Sequence, residues 1–252
     1  MKLILILAVA KYFADARNRE TAWPDIFKLA LIAGVPFLLV LKQPDLGTSL
    51  TYFPIALTAL FLGGLRFRQT MVMLLGVALV MPVVWMYGLK PYQKARLVSF
   101  RNPEMDPKGT GYQVQQSLIA VGSGGVWGKG WRNGSQTQGE FLPVTHTDFA
   151  FATFAEEQGF VGASGLLLLY FLVLMRLIHN AQTAPDRAGS FVVMGLVGVL
   201  AFHILVNVGM VVGFMPVTGI PLPLISYGGS SVLFMFIALG IVMNVRMRRF
   251  VN

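Results

Sequence analysis

The chain has 252 residues, 55% of them hydrophobic and only 12% charged, with a mean hydropathy of +0.66 and a formal net charge of +9. This balance lies outside the range of ordinary soluble domains. The lack of cysteine removes any Cys-based metal centre. Basic loops at a membrane face account for the positive charge, so no nucleic-acid partner is required.

A membrane-crossing helix needs about 20 apolar residues. Runs of that order occur at 25–41, 46–65, 70–88, 149–176, 189–213 and 229–247, after a shorter one, Met1 to Ala14, that carries Lys11. None shows the alternation over about 10 residues that marks a membrane barrel. The expected fold is an all-α polytopic membrane protein with about seven transmembrane helices. It forms a single integral membrane domain over 1–252, with one large loop at 89–147. Pro36, Pro54 and Pro82 predict kinks, whereas Gly63, Gly64 and Gly195 predict close helix packing. Trp85 and Tyr87 read as interfacial anchors, and the Met and Phe residues as lipid-facing or core filler.

Basic residues in short loops set the orientation. A cytoplasmic carboxyl terminus bearing Arg246, Arg248 and Arg249 places Arg176, His179 and Arg187 inside, together with Arg66, Arg68, Lys11, Arg17, Arg19 and Lys28. The 89–147 loop then lies outside. Met1 also falls outside, with no signal peptide to carry it there. The expectation is an upstream helical region absent from this sequence, in preference to a first segment that does not span.

Charge within the loop is uneven. Lys90, Lys94, Arg96, Arg101, Lys108, Lys129 and Arg132 oppose Glu104, Asp106 and Glu140, a net of +4. Two readings stay open, attraction to anionic lipid headgroups and capture of a phosphate-bearing substrate. Residues 112–121 form an amphipathic stretch too short to span, suited to the interface. The glycines at 122, 124, 125, 128 and 130 permit backbone nests of the kind that hold anions. Trp131 follows Gly128-Lys129-Gly130, so the nucleotide-binding loop pattern is not met.

Asp148 closes the loop and opens the 149–176 helix. In the first helical turn, with Thr145 ahead of it, an acid serves equally as part of a capping box. Glu156 and Glu157 lie about 12 Å further along a continuous helix, and Glu156 about 80° around it from Asp148. An ionisable group inside a span costs at least about 2.5 kcal/mol and is by default functional or paired. A shared cleft with Lys42, Arg96 or Lys129 as partners is therefore expected.

Several phrases together carry a resemblance. They are Lys42-Gln43-Pro44-Asp45-Leu46-Gly47-Thr48-Ser49, Gly111-Tyr112-Gln113, Gly122-Ser123-Gly124-Gly125, Gly128-Lys129-Gly130-Trp131, His146-Thr147-Asp148-Phe149 and Ala155-Glu156-Glu157. The run from Gly209 through Pro216-Val217-Thr218-Gly219-Ile220-Pro221-Leu222-Pro223 to Ser231 completes them. In this order they resemble the SEDS family of peptidoglycan glycosyltransferases over nearly the whole chain, closer to its elongation branch than to its division branch. Val144 departs from the pattern, since relatives often carry an acid there.

The resemblance implies a ten-helix protein of the bacterial cytoplasmic membrane, of which this chain matches about the last seven spans. It implies polymerisation of lipid II into β-1,4 glycan with release of undecaprenyl diphosphate, in cell elongation and shape maintenance. Asp148 matches the family's essential acid, and the α-linked donor giving a β product implies a single inverting displacement with Asp148 as base. Arg96 and Lys129, then Lys42, are the candidate ligands of the diphosphate, with Asp45 and Lys2 in matching substrate-binding positions. Glu156 and Glu157 either tune Asp148 or hold a divalent cation; no other cofactor is implied. A class B penicillin-binding protein transpeptidase is the implied partner. The same polytopic, charge-bearing shape also suits a lipid II transporter, or a scaffold for that transpeptidase.

Overall fold

The computed structural model describes residues 1–15, 21–43, 45–102, 106, 109–139, 141–142 and 144–248. Arg17, Arg19, Pro44, Glu104, Lys108, Glu140 and Arg249, used above for topology, loop charge and motifs, lie outside the described residues. The described residues form helices and no strand. Five helices are long and apolar enough to cross a membrane: Trp23–Lys42, Phe67–Gly88, Ala150–Gln182, Arg187–Val211 and Gly229–Arg248. This is a multi-pass membrane protein. Two compact units divide it.

The first unit comprises Met1–Pro91, Arg176–Val199 and Ile237–Asn252. Helix α1 (Lys2–Asp15) buries Leu5, Ile6, Val9, Ala10 and Phe13, a stripe at helical spacing, and packs on α2 (Trp23–Lys42) and α4 (Tyr52–Leu62). The 46–65 run forms one apolar helical stretch, Leu46–Leu62, whose hydrogen-bond ladder is interrupted at Thr51, between α3 (Leu46–Leu50) and α4. Pro54 explains the break: it has no N–H for the Leu50 carbonyl, and its ring crowds that carbonyl. Asp45 caps α3 by accepting from the Thr48 amide at 2.9 Å. Helix α5 (Phe67–Val83) ends in a π-helical turn, Val84–Gly88, just after Pro82. Gly195 meets Ile6, and Gly198 meets Thr58, so closely that an added Cβ would lie 3.1 and 2.6 Å from those side chains. Gly195 thus permits the close packing its sequence context predicts.

The second unit comprises Tyr92–Met175 and Leu200–Phe236. It holds α6 (Pro91–Arg101) from its second residue, α7 (Thr110–Ser123) and α8 (Ser135–Gln138). It also takes parts of α9 (Ala150–Gln182), α10 (Arg187–Val211) and α11 (Gly229–Arg248). Helix α7 covers the amphipathic stretch, but its inner stripe of Gly111, Val114, Ser117 and Ala120 is buried in protein. Ser117 donates to the Val211 carbonyl at 3.0 Å, and Val114 and Ala120 join a core with Phe149, Phe151, Met210 and Leu222. Only residues such as Leu118 and Ile119 stay exposed on it.

Helix α9 is not continuous, contrary to the sequence expectation. Gly159 sits at φ +65°, ψ −168°, and breaks it. The glycine loop after α7 enters the break. Lys129 and Gly130 amides donate to the Glu156 and Glu157 carbonyls (3.1 and 3.0 Å), while Phe160 and Val161 amides donate to Gly125 and Val126 (2.9 and 3.1 Å). Backbone bonds that the helix loses are thereby replaced, as a membrane-level interruption requires. A Cβ on Gly128 would stand 2.1 Å from the Glu157 carbonyl oxygen. Gly124 and Gly128 serve this close approach, where sequence suggested an anion nest.

Candidate active site

Asp148 lies in a turn before α9, whose first residue is Ala150, so the Thr145–Asp148 capping box does not form. Three successive carbonyls of this turn are held from outside it. Tyr227 N donates to His146 O (2.8 Å), Ser226 Oγ to Thr147 O (2.5 Å) and Asn207 Nδ2 to Asp148 O (2.9 Å). The Asp148 side chain is half-buried. Its Oδ2 lies 3.4 Å from the point where a Gly219 Cβ would stand, and Gly219 has φ +72°. A bare backbone therefore abuts the carboxylate. Burial pushes the Asp148 carboxyl above the ordinary aspartate range, opposed by a hydrogen bond from Thr147 and by the charge of Arg96. Arg96, from α6, also reaches the Val217 carbonyl at 3.4 Å.

Two cavities share Thr145 and His146. One, of about 670 Å³, is lined by Arg132, Thr137, Gln138, Leu142 and Val144 as well. The other, of about 460 Å³, adds Trp131, Phe154, Glu157 and Tyr227 among others. Polar groups and exposed aromatic surface thus converge beside the Asp148 turn, as suits a substrate with sugar and lipid parts.

Lys129 and Glu156 are brought together, though not with Asp148 as their partner. The Lys129 ammonium lies 2.8 Å from Glu156 Oε1 and also reaches Ser123 and Ser135 at 2.7 and 2.6 Å. Glu156 is fully buried. Its Oε1 accepts further from the Gln136 amide (2.9 Å), and its Oε2 from the Thr137 amide and hydroxyl (3.1 and 2.8 Å). Both oxygens face protein donors, one of them an ammonium, which is no setting for a divalent cation. Glu157, 8% exposed, accepts from the Arg132 amide at 3.1 Å.

Lys2, Lys42 and Asp45 belong to the first unit. Lys2 and Asp45 lie within electrostatic reach of each other, and Lys42 ends α2 and is exposed. Sequence reasoning passed over Asn207, Ser226, His203 and Tyr170. Tyr170 donates to Pro223 O (2.5 Å) and His203 Nδ1 lies 3.1 Å from Pro221 O. Polar residues four apart in an apolar helix, as His203 and Asn207 are, were the available signal.

A family profile for the cell cycle proteins FtsW, RodA and SpoVE matches residues 1–250. The chain belongs to the FtsW/RodA/SpoVE family. It is 44% identical to the peptidoglycan glycosyltransferase MrdB of Escherichia coli K12, over 98% of this chain and 67% of that protein. It is 39% identical to the stage V sporulation protein E of Bacillus subtilis, over 97% and 66%. Among solved structures, a chain of a peptidoglycan synthase complex that coordinates polymerization and crosslinking matches with a TM-score of 0.83 at 37% identity, covering 100% of this chain and 69% of that one. The crystal structure of Thermus thermophilus RodA matches with a TM-score of 0.65 at 32% identity, over 99% and 64%. The chain thus spans about two thirds of the length of the curated relatives it matches.

Within this FtsW/RodA/SpoVE chain, Val144 has an unusual backbone conformation. It has φ +58°, which for a β-branched residue is a costly outlier, by about 1–2 kcal/mol. Val144→Gly removes that strain at some cost in chain entropy. It is expected to stabilise the protein by about 1 kcal/mol, read as a raised midpoint of thermal unfolding in detergent. An unchanged or lower midpoint would show that the side chain's contacts outweigh the backbone strain.

Proposed function

We propose that the protein acts as a peptidoglycan glycosyltransferase that polymerises lipid II on the outer face of the bacterial cytoplasmic membrane. Supporting this reading above all is one observation: a half-buried carboxylate, Asp148, held by its backbone at the foot of a polar loop and faced by Arg96. In the reaction, the Asp148 carboxylate takes the proton from the acceptor sugar's 4-hydroxyl. That oxygen forms a bond to the donor's anomeric carbon as the bond from carbon to the diphosphate oxygen breaks, with inversion. Undecaprenyl diphosphate leaves. A positioned base supplies typically 10²–10⁴-fold of such an acceleration, and cations aimed at the departing oxygens supply a further share. Arg96 is the assigned cation, because the Lys129 ammonium is engaged by Glu156. A class B penicillin-binding protein is the proposed transpeptidase partner, and the carboxyl terminus is cytoplasmic.

Purified full-length protein with its partner and fluorescent lipid II provides the test. Long glycan products, sensitive to a muramidase, are expected. Movement of labelled lipid II across sealed vesicles without any polymer would replace this reading with transport.

A further inference from the structure

We infer that Asn207 is a positioning residue for Asp148, fixing where the carboxylate stands relative to the Gly219 loop. This rests on the reading of Asp148 as the base.

Asn207 lies in the last turns of α10, where His203 is the other polar residue, and is fully buried. A primary amide in such surroundings is costly unless hydrogen-bonded. Its Nδ2 donates to two carbonyls from separate segments, Asp148 O at 2.9 Å and Ile220 O at 2.8 Å. The opposite amide orientation would set an oxygen against both carbonyls, so the two acceptors decide which atom is nitrogen. The planar NH₂ group fixes the angle between its two bonds. It thereby ties the main chain at Asp148 to the main chain at Ile220, and the next residue back, Gly219, is the one whose missing Cβ admits Asp148 Oδ2. Backbone, amide, loop and carboxylate form a closed circuit. The Asn207 Oδ1 is buried without a partner, so this side chain retains an unsatisfied acceptor while both of its donors hold the site.

Neighbouring contacts make the role separable from folding. Ser226 and Tyr227 hold Thr147 and His146 independently, so loss of Asn207 frees Asp148 while the rest of the turn stays attached. The charged group facing Asp148 is Arg96, from α6; His146, two residues earlier, is exposed.

The test uses the full-length protein with its partner, and the variants Asn207→Leu and Asn207→Ser. Leu keeps the branched shape and removes both donors, whereas the smaller Ser keeps one hydroxyl donor if the bulkier Leu fails to fold. Displacement of a catalytic group by about 1 Å costs about 10²-fold, so kcat should fall about that much for Leu and less for Ser. KM for lipid II should stay within about twofold. The pH limb belonging to Asp148 should move down toward that of an ordinary aspartate as its burial is relaxed. A variant that only melts earlier, with wild-type kcat and pH limb, overturns the inference. If the wild type makes no polymer, the function reading fails instead. The ¹³C titration of the Asp148 carboxyl, assigned with Asp148→Asn, then decides the positioning role: a curve shifted by Asn207→Leu supports it, and an unmoved curve refutes it.

Discussion

Asp148→Asn is expected to reduce glycan polymer by about 10²–10⁴-fold, the contribution of a general base, with partner binding intact and thermal stability equal to or above wild type. The two halves of this expectation share one cause. Burial lifts the Asp148 carboxyl above the ordinary aspartate range, more than Thr147 and Arg96 lower it. A carboxyl whose folded pKa is raised binds its proton more tightly in the native state, so stability is greatest when it is protonated. That stability is lost as pH rises from the ordinary aspartate value through the folded one. At neutral pH the wild-type carboxylate is therefore a burden on the fold, which the neutral amide removes. Activity has the opposite dependence. The base works only when ionised, so polymerisation should rise with pH through the elevated Asp148 value, on a limb displaced upward from that of a free aspartate. Rate–pH profiles and unfolding midpoints of both proteins check this. Wild-type polymer yield from Asp148→Asn would remove the residue as base; a large fall in its melting point would mark it as structural.

The spans were largely legible because they depend on local composition. The 25–41, 189–213 and 229–247 runs lie within about a turn of the observed helices. The 46–65 run is likewise a helical stretch, Leu46–Leu62, and composition misses only the interruption at Thr51 that Pro54 imposes. The Gly159 break had no local signature, because glycine is common in membrane helices and its φ is set by a loop arriving from residues 124–130. Asp148 could be found from its address between a polar loop and an apolar run. Its true anchors could not, since Asn207 and Ser226 meet it only through the folded chain. Lys129 illustrates the opposite limit. A lone basic residue among glycines reads as a phosphate ligand, and its buried partner lies 27 positions away.

That partner makes Glu156 the other position of large expected effect. Removing one member of a fully buried ion pair costs about 3–5 kcal/mol, because the remaining charge is left without compensation; with the Lys129 side chain 26% exposed, that range is an upper bound here. Lys129→Met should fall toward the lower figure, since Glu156 keeps the Gln136 and Thr137 amides and the Thr137 hydroxyl. Glu156→Gln should cost more than Lys129→Met: its amide turns a donor toward donors and leaves the Lys129 ammonium with only Ser123, Ser135 and solvent. The double variant should lose less than the sum of the two, a coupling readable from denaturant unfolding. In Glu156→Gln the 123–138 loop should become susceptible to limited proteolysis, because the carboxylate that gathers Ser123, Ser135, Gln136 and Thr137 is gone; Lys129→Met, which keeps those bonds, should be cut more slowly. Polymerisation should fall with the folded fraction and recover on cooling. A Lys129→Met protein with wild-type unfolding but a higher lipid II requirement would show that the ammonium serves the substrate's phosphates and not the loop.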